Sequence, residues 1–169
     1  LNEVFKKNFL RKNTIIKSAS INSKKIDKNS IFIGVKGKKY DGNFYVDEAF
    51  RNGAKLSITN KKFSNTKNIY NKNPINLFST ISTRYRKSLN SNTIAITGSA
   101  GKTSVKELVG FCLNKLSKTY FSKNSFNNKY GVPLSIFNTP QLTKFTVLEA
   151  GMDKKGEIDY LTKLIKPNL

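Results

Sequence analysis

Apolar and polar positions alternate in short runs, and the period of that alternation changes along the chain. In the first half, Ser30-Ile31-Phe32-Ile33-Gly34-Val35 is the clearest run, and its β-branched and aromatic residues predict a strand. Ile15, Ile16, Ala19 and Ile21 predict weaker strand-like segments broken by polar residues, with a polar turn from Ser20 to Lys25. Val4 to Leu10 has the pattern of a short helix. Lys36 to Asn43 is a glycine-punctuated loop carrying both charges. Phe44 to Arg51 predicts a helix closed by Asn52-Gly53 as a C-cap, and Lys55 to Thr59 a second short strand. Asn60 to Asn73 is polar and rich in Lys and Asn, a connection or a weakly formed hairpin. Pro74 to Leu89 is helical, with Pro74 in the first turn, where its missing N–H costs nothing. These elements make a small α/β unit, and Ser88 to Asn92 is the expected boundary behind it.

Beyond that boundary the period switches from two to 3.6 across a single glycine loop. Thr93 to Ile96 is a β-branched run of the kind that fills a buried parallel strand. Gly98-Ser99-Ala100-Gly101 is a small-residue turn. From Thr103 a helix is expected, with Val105, Leu108, Val109 and Cys112 on one apolar face. Strand, glycine loop and helix N-terminus together make an anion site, because the free N–H groups and the helix dipole both favour negative charge. Lys102 adds a point charge for phosphate, and the Thr103 hydroxyl is placed to ligate Mg²⁺. The common phosphate loop has four residues between its glycines, whereas here only Ser99 and Ala100 stand between Gly98 and Gly101, giving G-x-x-G-K-T. Farther on, Lys123 to Pro133 is dense in asparagine and reads as a turn-rich loop, whose amides can also donate to and accept from a polar ligand. Phe145 to Leu148 is another buried-type strand. It ends at Glu149, where an open parallel sheet places its ligands and where a carboxylate can hold Mg²⁺. Gly156 to Ile165 predicts a last helix, stopped by Pro167. The chain then reaches Leu169, where such a sheet would enter its next strand.

Composition narrows the chemistry. The 169 residues suffice for one domain or two small ones, and 37% apolar content can supply a core. No apolar run approaches a membrane span of about 20 residues. The opening LNEVFKKNFLRKN lacks a secretory pattern, and it lacks an initiator Met, as expected of a sequence truncated at its front. With no His at all, histidine metal sites, Ser-His and Cys-His pairs and histidine acid–base catalysis are excluded. The single Cys112 is expected to be a buried structural thiol, without a disulfide framework. Lys and Arg number 31 against 10 Asp and Glu, a net charge of +21. The excess is almost all Lys and is spread along the chain, whereas base readout favours Arg. Salt-sensitive nonspecific binding to nucleic acid is therefore expected, and a specific nucleic-acid partner is not.

The segments TIAITGSAGKTSVKE, NSFNNKYGVPLS and VLEAGMDKKGEI, in that order, resemble the Mur ligases of peptidoglycan synthesis, and among them the branch that adds D-alanyl-D-alanine. NSKKIDKNSIFIGVKGKKYDGNFYVDEAFRNGA resembles the UDP-binding domain that opens those enzymes. The resemblance covers nearly all of Ile21 to Leu169. It implies residues 1–90 as an α/β UDP-muramoyl-peptide-binding domain and 91–169 as the start of a central ATP-binding domain with a mainly parallel sheet. The rest of that domain, and the C-terminal domain that takes D-alanyl-D-alanine, would lie outside this chain. It implies a cytoplasmic, monomeric, ATP- and Mg²⁺-dependent amide ligase acting on UDP-N-acetylmuramoyl-tripeptide through an acyl phosphate.

Carried over residue by residue, the resemblance assigns ATP to Gly98, Ser99, Ala100, Gly101, Lys102, Thr103 and Ser104, Mg²⁺ to Thr103 and Glu149, and catalysis to Lys102 and Glu149. It assigns the UDP-linked substrate to Ser23, Lys36, Gly37, Asp41, Gly42, Asn124, Asn127 and Asn128. The chain also departs from the family's pattern. Asn22-Ser23-Lys24 stands where the family has Asp-Ser/Thr-Arg, which removes a bidentate Arg. Lys123 stands where Gly is usual. Lys154 stands where a His is common, and a protonated Lys cannot ligate a metal. Two other readings remain. One is another Mur-type ligase, adding diaminopimelate or lysine or resembling folylpolyglutamate synthase. The other is a non-catalytic chain binding nucleotide-sugar or polyanions.

Overall fold

The computed structural model describes residues 15–37, 39–64 and 67–169. The helix expected at Val4 to Leu10 lies outside them. The chain divides into two units, one ending at Ile81 and one beginning at Ser82.

The first unit is built on a four-stranded sheet in the order β1 (Ser18–Ser20), β2 (Ser30–Ile33), β3 (Ala54–Thr59), β4 (Asn68–Tyr70), with every pairing parallel. β1 is only the middle of the Ile15–Ile21 stretch, with Ile15 and Ile21 exposed. β4 corrects the hairpin alternative for Asn60 to Asn73, since Ser57 pairs with Asn68 and Thr59 with Tyr70 in parallel. Three residues between polar loops carry too little alternation to announce a strand. The expected Phe44–Arg51 helix is a 3-10 turn at Gly42–Tyr45 followed by α1 (Val46–Arg51). Gly53 closes it with φ +116, a conformation that favours glycine. Phe32, Val46, Ala49 and Ala54 form the core between helix and sheet.

α2 (Pro74–Ser88) begins in the first unit, where Ile75, Phe78 and Ile81 are buried, and ends in the second. In the second unit, Arg86 is buried and donates from Nε to the Ile165 carbonyl at 2.8 Å and from Nη2 to that of Lys166 at 3.1 Å. It thereby caps the C-terminal end of α5.

The second unit has β5 (Asn92–Ile96), β6 (Thr119–Phe121) and β7 (Phe145–Glu149), parallel in the order β5-β7-β6. β7 is the middle strand because its residues are buried on both faces. α3 (Lys102–Leu116) covers one face; α4 (Gly131–Phe137) and α5 (Glu157–Ile165) cover the other. On the α4–α5 side Val132, Ile136, Leu161, Leu164 and Ile165 pack on Leu148, with Ala95 and Tyr120 beside them. Asn168 donates its N–H to the Thr93 carbonyl at 2.7 Å, and Ala95 to that of Leu169 at 2.9 Å, so the backbone runs along the outer edge of β5.

Two expectations for α3 are corrected. Its buried positions are Lys106 and Gly110, while Val105, Leu108 (64% exposed) and Cys112 lie open, so Cys112 is no core thiol. The cause is Phe121, which lies against Gly110: a Cβ there would come within 2.5 Å of the ring. Close approach of helix to strand selects the glycine face, and the richer apolar face turns outward. β6 and α4 carried no readable pattern. α4 begins inside the asparagine-rich stretch and holds Pro133 in its first turn, where no helical donor is lost.

Candidate functional site

β5 delivers the chain into the turn Gly98 to Gly101, and α3 starts at once behind it. Gly101 has φ +73 and open space around it, so the turn requires glycine for its backbone conformation rather than for room. No side chain caps the start of α3, so its first N–H groups are open to water or to an anion. Lys102 lies back across the turn, donating from Nζ to the Gly98 carbonyl at 2.7 Å and the Ser99 carbonyl at 3.4 Å. An anion seated on the turn offers that ammonium a stronger acceptor than a neutral carbonyl.

Glu149 ends β7 and is 1% exposed. Its Oε2 accepts from Thr103 Oγ1 at 2.9 Å, and its Oε1 accepts from Asn127 Nδ2 at 2.8 Å. Ser125 Oγ lies 3.4 Å from Thr103 Oγ1. Three segments far apart in sequence thus converge at the C-terminal ends of the strands: the first turn of α3, the asparagine loop and the end of β7. The register makes this possible, because Ile96 pairs with Glu149 and brings the strand ends level. Gly151 keeps the loop close, donating its N–H to the Asn127 carbonyl at 2.8 Å.

Mg²⁺ fits this donor set. Thr103 and Glu149 present adjacent oxygens, and Mg²⁺ commonly takes one or two protein oxygens and completes its shell with phosphates and water. Among the described residues no group of three or more His, Cys, Asp or Glu is gathered for a metal. Lys154 contributes its backbone N–H to Glu157 Oε2 at 3.1 Å.

The remaining expected site residues are distributed unevenly. Gly98, Ser99 and Ala100 form the turn, and Ser104 is exposed in the first turn of α3. Asn124 is exposed with φ +51, and Asn128 uses its Oδ1 to accept the N–H groups of Tyr130 and Gly131 at 3.0 Å each, starting α4. In the first unit, Ser23 is buried, and its hydroxyl donates to Glu48 Oε2 at 2.8 Å. Lys36 and Gly37 are exposed in a loop where Lys36 bridges Asp41 and Gly42 donates to the Val35 carbonyl at 2.9 Å. Asp41 accepts from the backbone N–H of Asn43 at 2.9 Å and from its side chain, and pairs with Lys61 at 3.4 Å. The Asn43 donors, helped by Lys61, hold its carboxyl below the usual range. Lys61 also sits 3.6 Å above the Phe44 ring. Phe44, Tyr45, Asp47, Glu48, Arg51 and Asn52 line a surface pocket beside Ser23.

Two neighbours of these residues were not expected from the sequence: Ser125, which approaches Thr103, and Lys61, which pairs with Asp41.

Residues 96–169 match the Mur ligase middle domain. The chain is similar to the UDP-N-acetylmuramoyl-tripeptide–D-alanyl-D-alanine ligase of Bacillus subtilis strain 168, 30% identical over 159 residues, covering 92% of this chain and 35% of that protein. It is 34% identical over 158 residues to the same-named ligase of Buchnera aphidicola subsp. Baizongia pistaciae, covering 91% of this chain and 34% of the relative. Among solved structures, MurF ligase from Thermotoga maritima in complex with ADP aligns with a TM-score of 0.78 at 28% identity, over 93% of this chain and 37% of that one. The chain spans about a third of the length of the curated relatives it matches.

Proposed function

Because the chain belongs to the Mur ligase family, we propose that it carries the nucleotide-sugar-binding and phosphate-binding parts of a ligase that joins D-alanyl-D-alanine to UDP-N-acetylmuramoyl-tripeptide. The mixed α/β fold with parallel sheets expected from the sequence is the fold observed. The observation that carries the functional reading is the junction of Thr103, Glu149 and Asn127 beside the Lys102 turn.

In this reading ATP lays its phosphates on the turn from Gly98 to Gly101 and on the first N–H groups of α3, Lys102 to Ser104. Lys102 exchanges the Gly98 and Ser99 carbonyls for phosphate oxygens, holding positive charge where negative charge builds up. The terminal carboxylate oxygen of the tripeptide attacks the γ-phosphorus and ADP leaves. The dipeptide amine then attacks the acyl carbon, phosphate departs, and the amine loses a proton. Thr103 and Glu149 would hold Mg²⁺, whose charge neutralises phosphate oxygens. Asn127 fixes the Glu149 carboxylate from the side opposite Thr103. No side chain of this chain forms a covalent bond, so positioning and electrostatics suffice, and the absence of His is no obstacle.

Residues 1–90 take the UDP-linked substrate and 91–169 begin the ATP-binding domain. Of the first-unit residues, Lys36 and Gly37 are exposed and open to a ligand, with Asp41 and Gly42 half-buried beside them, and Ser23 acts by orienting Glu48 at the pocket. Among the described residues no helix is long and apolar enough to cross a membrane. ATP and UDP-linked precursors are cytoplasmic chemistry, and we place the reaction there, with the enzyme a monomer.

The test is incubation of the natively expressed protein with ATP, Mg²⁺, UDP-N-acetylmuramoyl-tripeptide and D-alanyl-D-alanine, reading peptide product and phosphate. Product is expected from the native protein, and none above background from Lys102→Ala. A charge-assisted contact is worth about 1.5–3 kcal/mol before developing transition-state charge is added, and each 1.36 kcal/mol is about tenfold in rate. Near-normal turnover by Lys102→Ala sinks the role of the loop. Incorporation of diaminopimelate or lysine instead assigns the chain to another branch.

A further inference from the structure

The helix that carries Lys102 carries a second lysine one turn on, and nothing above gives it a task. Lys106 is 0% exposed. An ammonium has three protons to donate, and all three are taken. Its Nζ lies 2.6 Å from the Ser122 carbonyl, 2.8 Å from the Asn124 carbonyl and 2.9 Å from Glu107 Oε1. Two of the partners are backbone carbonyls of one segment, the link from β6 into the asparagine loop. Asn124 stands in the left-handed region, φ +51, a conformation unfavourable for most L-residues. Its carbonyl is one of the two that meet at the Lys106 ammonium.

Burying a charge is costly even when it is bonded, and an apolar side chain would fill the same space more cheaply. An apolar side chain would, however, leave two carbonyl dipoles converging with nothing between them. The cation resolves that repulsion, and so fixes the backbone where the loop leaves the sheet. One residue beyond Asn124, Ser125 approaches Thr103, and three residues beyond it Asn127 reaches Glu149.

We propose that Lys106 is a positioning residue that ties the asparagine loop to the phosphate-loop helix. One rigid element then sets both the Lys102–Thr103 end and the placement of Asn127 on Glu149. For its consequence in catalysis the inference rests on the ligase reading, extended to place Asn124 and Asn128 of the loop toward the peptide end of the UDP-linked substrate, as the family resemblance implies: the loop is then kept in register with the phosphates. Loss of Lys106 therefore weakens use of the peptide substrate more than use of ATP.

The experiment compares the natively expressed protein with its Lys106→Met and Lys106→Arg variants by amide hydrogen exchange without ligand and by steady-state kinetics. In Lys106→Met the amides of residues 125–130 are expected to exchange at least about tenfold faster while those of β5 and β7 stay as they were. The KM for the UDP-linked tripeptide rises about tenfold and that for ATP stays within about twofold. Lys106→Arg keeps the charge on a wider, rigid fork and shows the same split at about a third of that size. Unchanged loop exchange in a folded Lys106→Met, or equal loss of protection throughout the second unit, overturns the proposal. If Lys106→Met does not fold, Lys106→Arg decides: equal KM changes for both substrates overturn it, and the peptide-selective split supports it. A native protein that turns over no UDP-linked peptide refutes the ligase reading, while the exchange comparison still reads the loop directly.

Discussion

Glu149 is a carboxylate 1% exposed whose hydrogen-bond donors, Thr103 and Asn127, are both neutral. Burying a carboxylate whose hydrogen bonds come from neutral donors works against folding, so the residue carries a cost to stability. Glu149→Gln keeps the size and removes the charge. Thermal unfolding without ligand is expected to show the variant more stable by about 1 kcal/mol, within the usual gain at sites strained for function. Ligation falls about 10- to 100-fold, and half-saturation moves to higher Mg²⁺. A variant that loses stability and keeps its activity would make Glu149 a structural residue. At this scale the meeting of Thr103 and Glu149 beside Lys102 was legible, because a helix start behind a glycine turn and the end of a neighbouring parallel strand come together at one edge of the sheet. Asn128 and Ser23 were not resolved by type, since an amide or hydroxyl serves the backbone as readily as a ligand. Lys106 was hidden because a lysine on a helix is read as facing water.

Among the elements, α3 is governed by one contact. In an ordinary helix interior Gly→Ala stabilises by about 1 kcal/mol. At Gly110 a Cβ would stand 2.5 Å from Cγ and 2.6 Å from Cδ1 of Phe121, and overpacking of that kind costs about 1–3 kcal/mol. Steric conflict wins, so Gly110→Ala is expected to destabilise in chemical denaturation, and adding Phe121→Leu should recover most of the loss; a stabilising Gly110→Ala would refute the packing. The next residue along β6, Tyr120, faces the opposite core. Burial there pushes its phenol up to about 12. The neutral form is favoured in the folded chain, so the stability it represents is complete below about pH 10, the ordinary tyrosine value. It is lost as the pH rises through about 12. Tyr120→Phe should flatten that alkaline loss, and the difference in phenolate absorbance between the native protein and the variant should show a tyrosine ionising well above the ordinary value. β2, β5, β7 and α5 could be read from period alone. β4, β6 and α4 could not, because three-residue strands and a seven-residue helix beginning among asparagines are made by their neighbours rather than by local pattern.

Across the whole molecule, electrostatics is set by a net charge of +21, from 31 Lys and Arg against 10 Asp and Glu. Such a chain repels itself and attracts any polyanion. Attraction of that kind works by counterion release and falls steeply with salt. The phosphate recognition proposed for the Gly98–Thr103 turn has a different physical basis. There, backbone N–H groups, a helix N-terminus and Lys102 would act together over a few ångströms, well inside the screening length of about 8 Å at physiological salt. The two kinds of binding should therefore separate on a salt axis. Retention on single-stranded nucleic acid is expected to vanish between roughly 0.05 and 0.2 M salt, the range over which several phosphate contacts are lost. Binding of ADP with Mg²⁺, followed by calorimetry, should weaken only a few-fold over that range and be abolished by Lys102→Ala. The same substitution should leave the nucleic-acid retention almost untouched, since it removes one of 31 cations. If nucleotide binding instead collapses with salt in step with nucleic-acid retention, the turn is no site, and the chain binds phosphate by bulk charge alone.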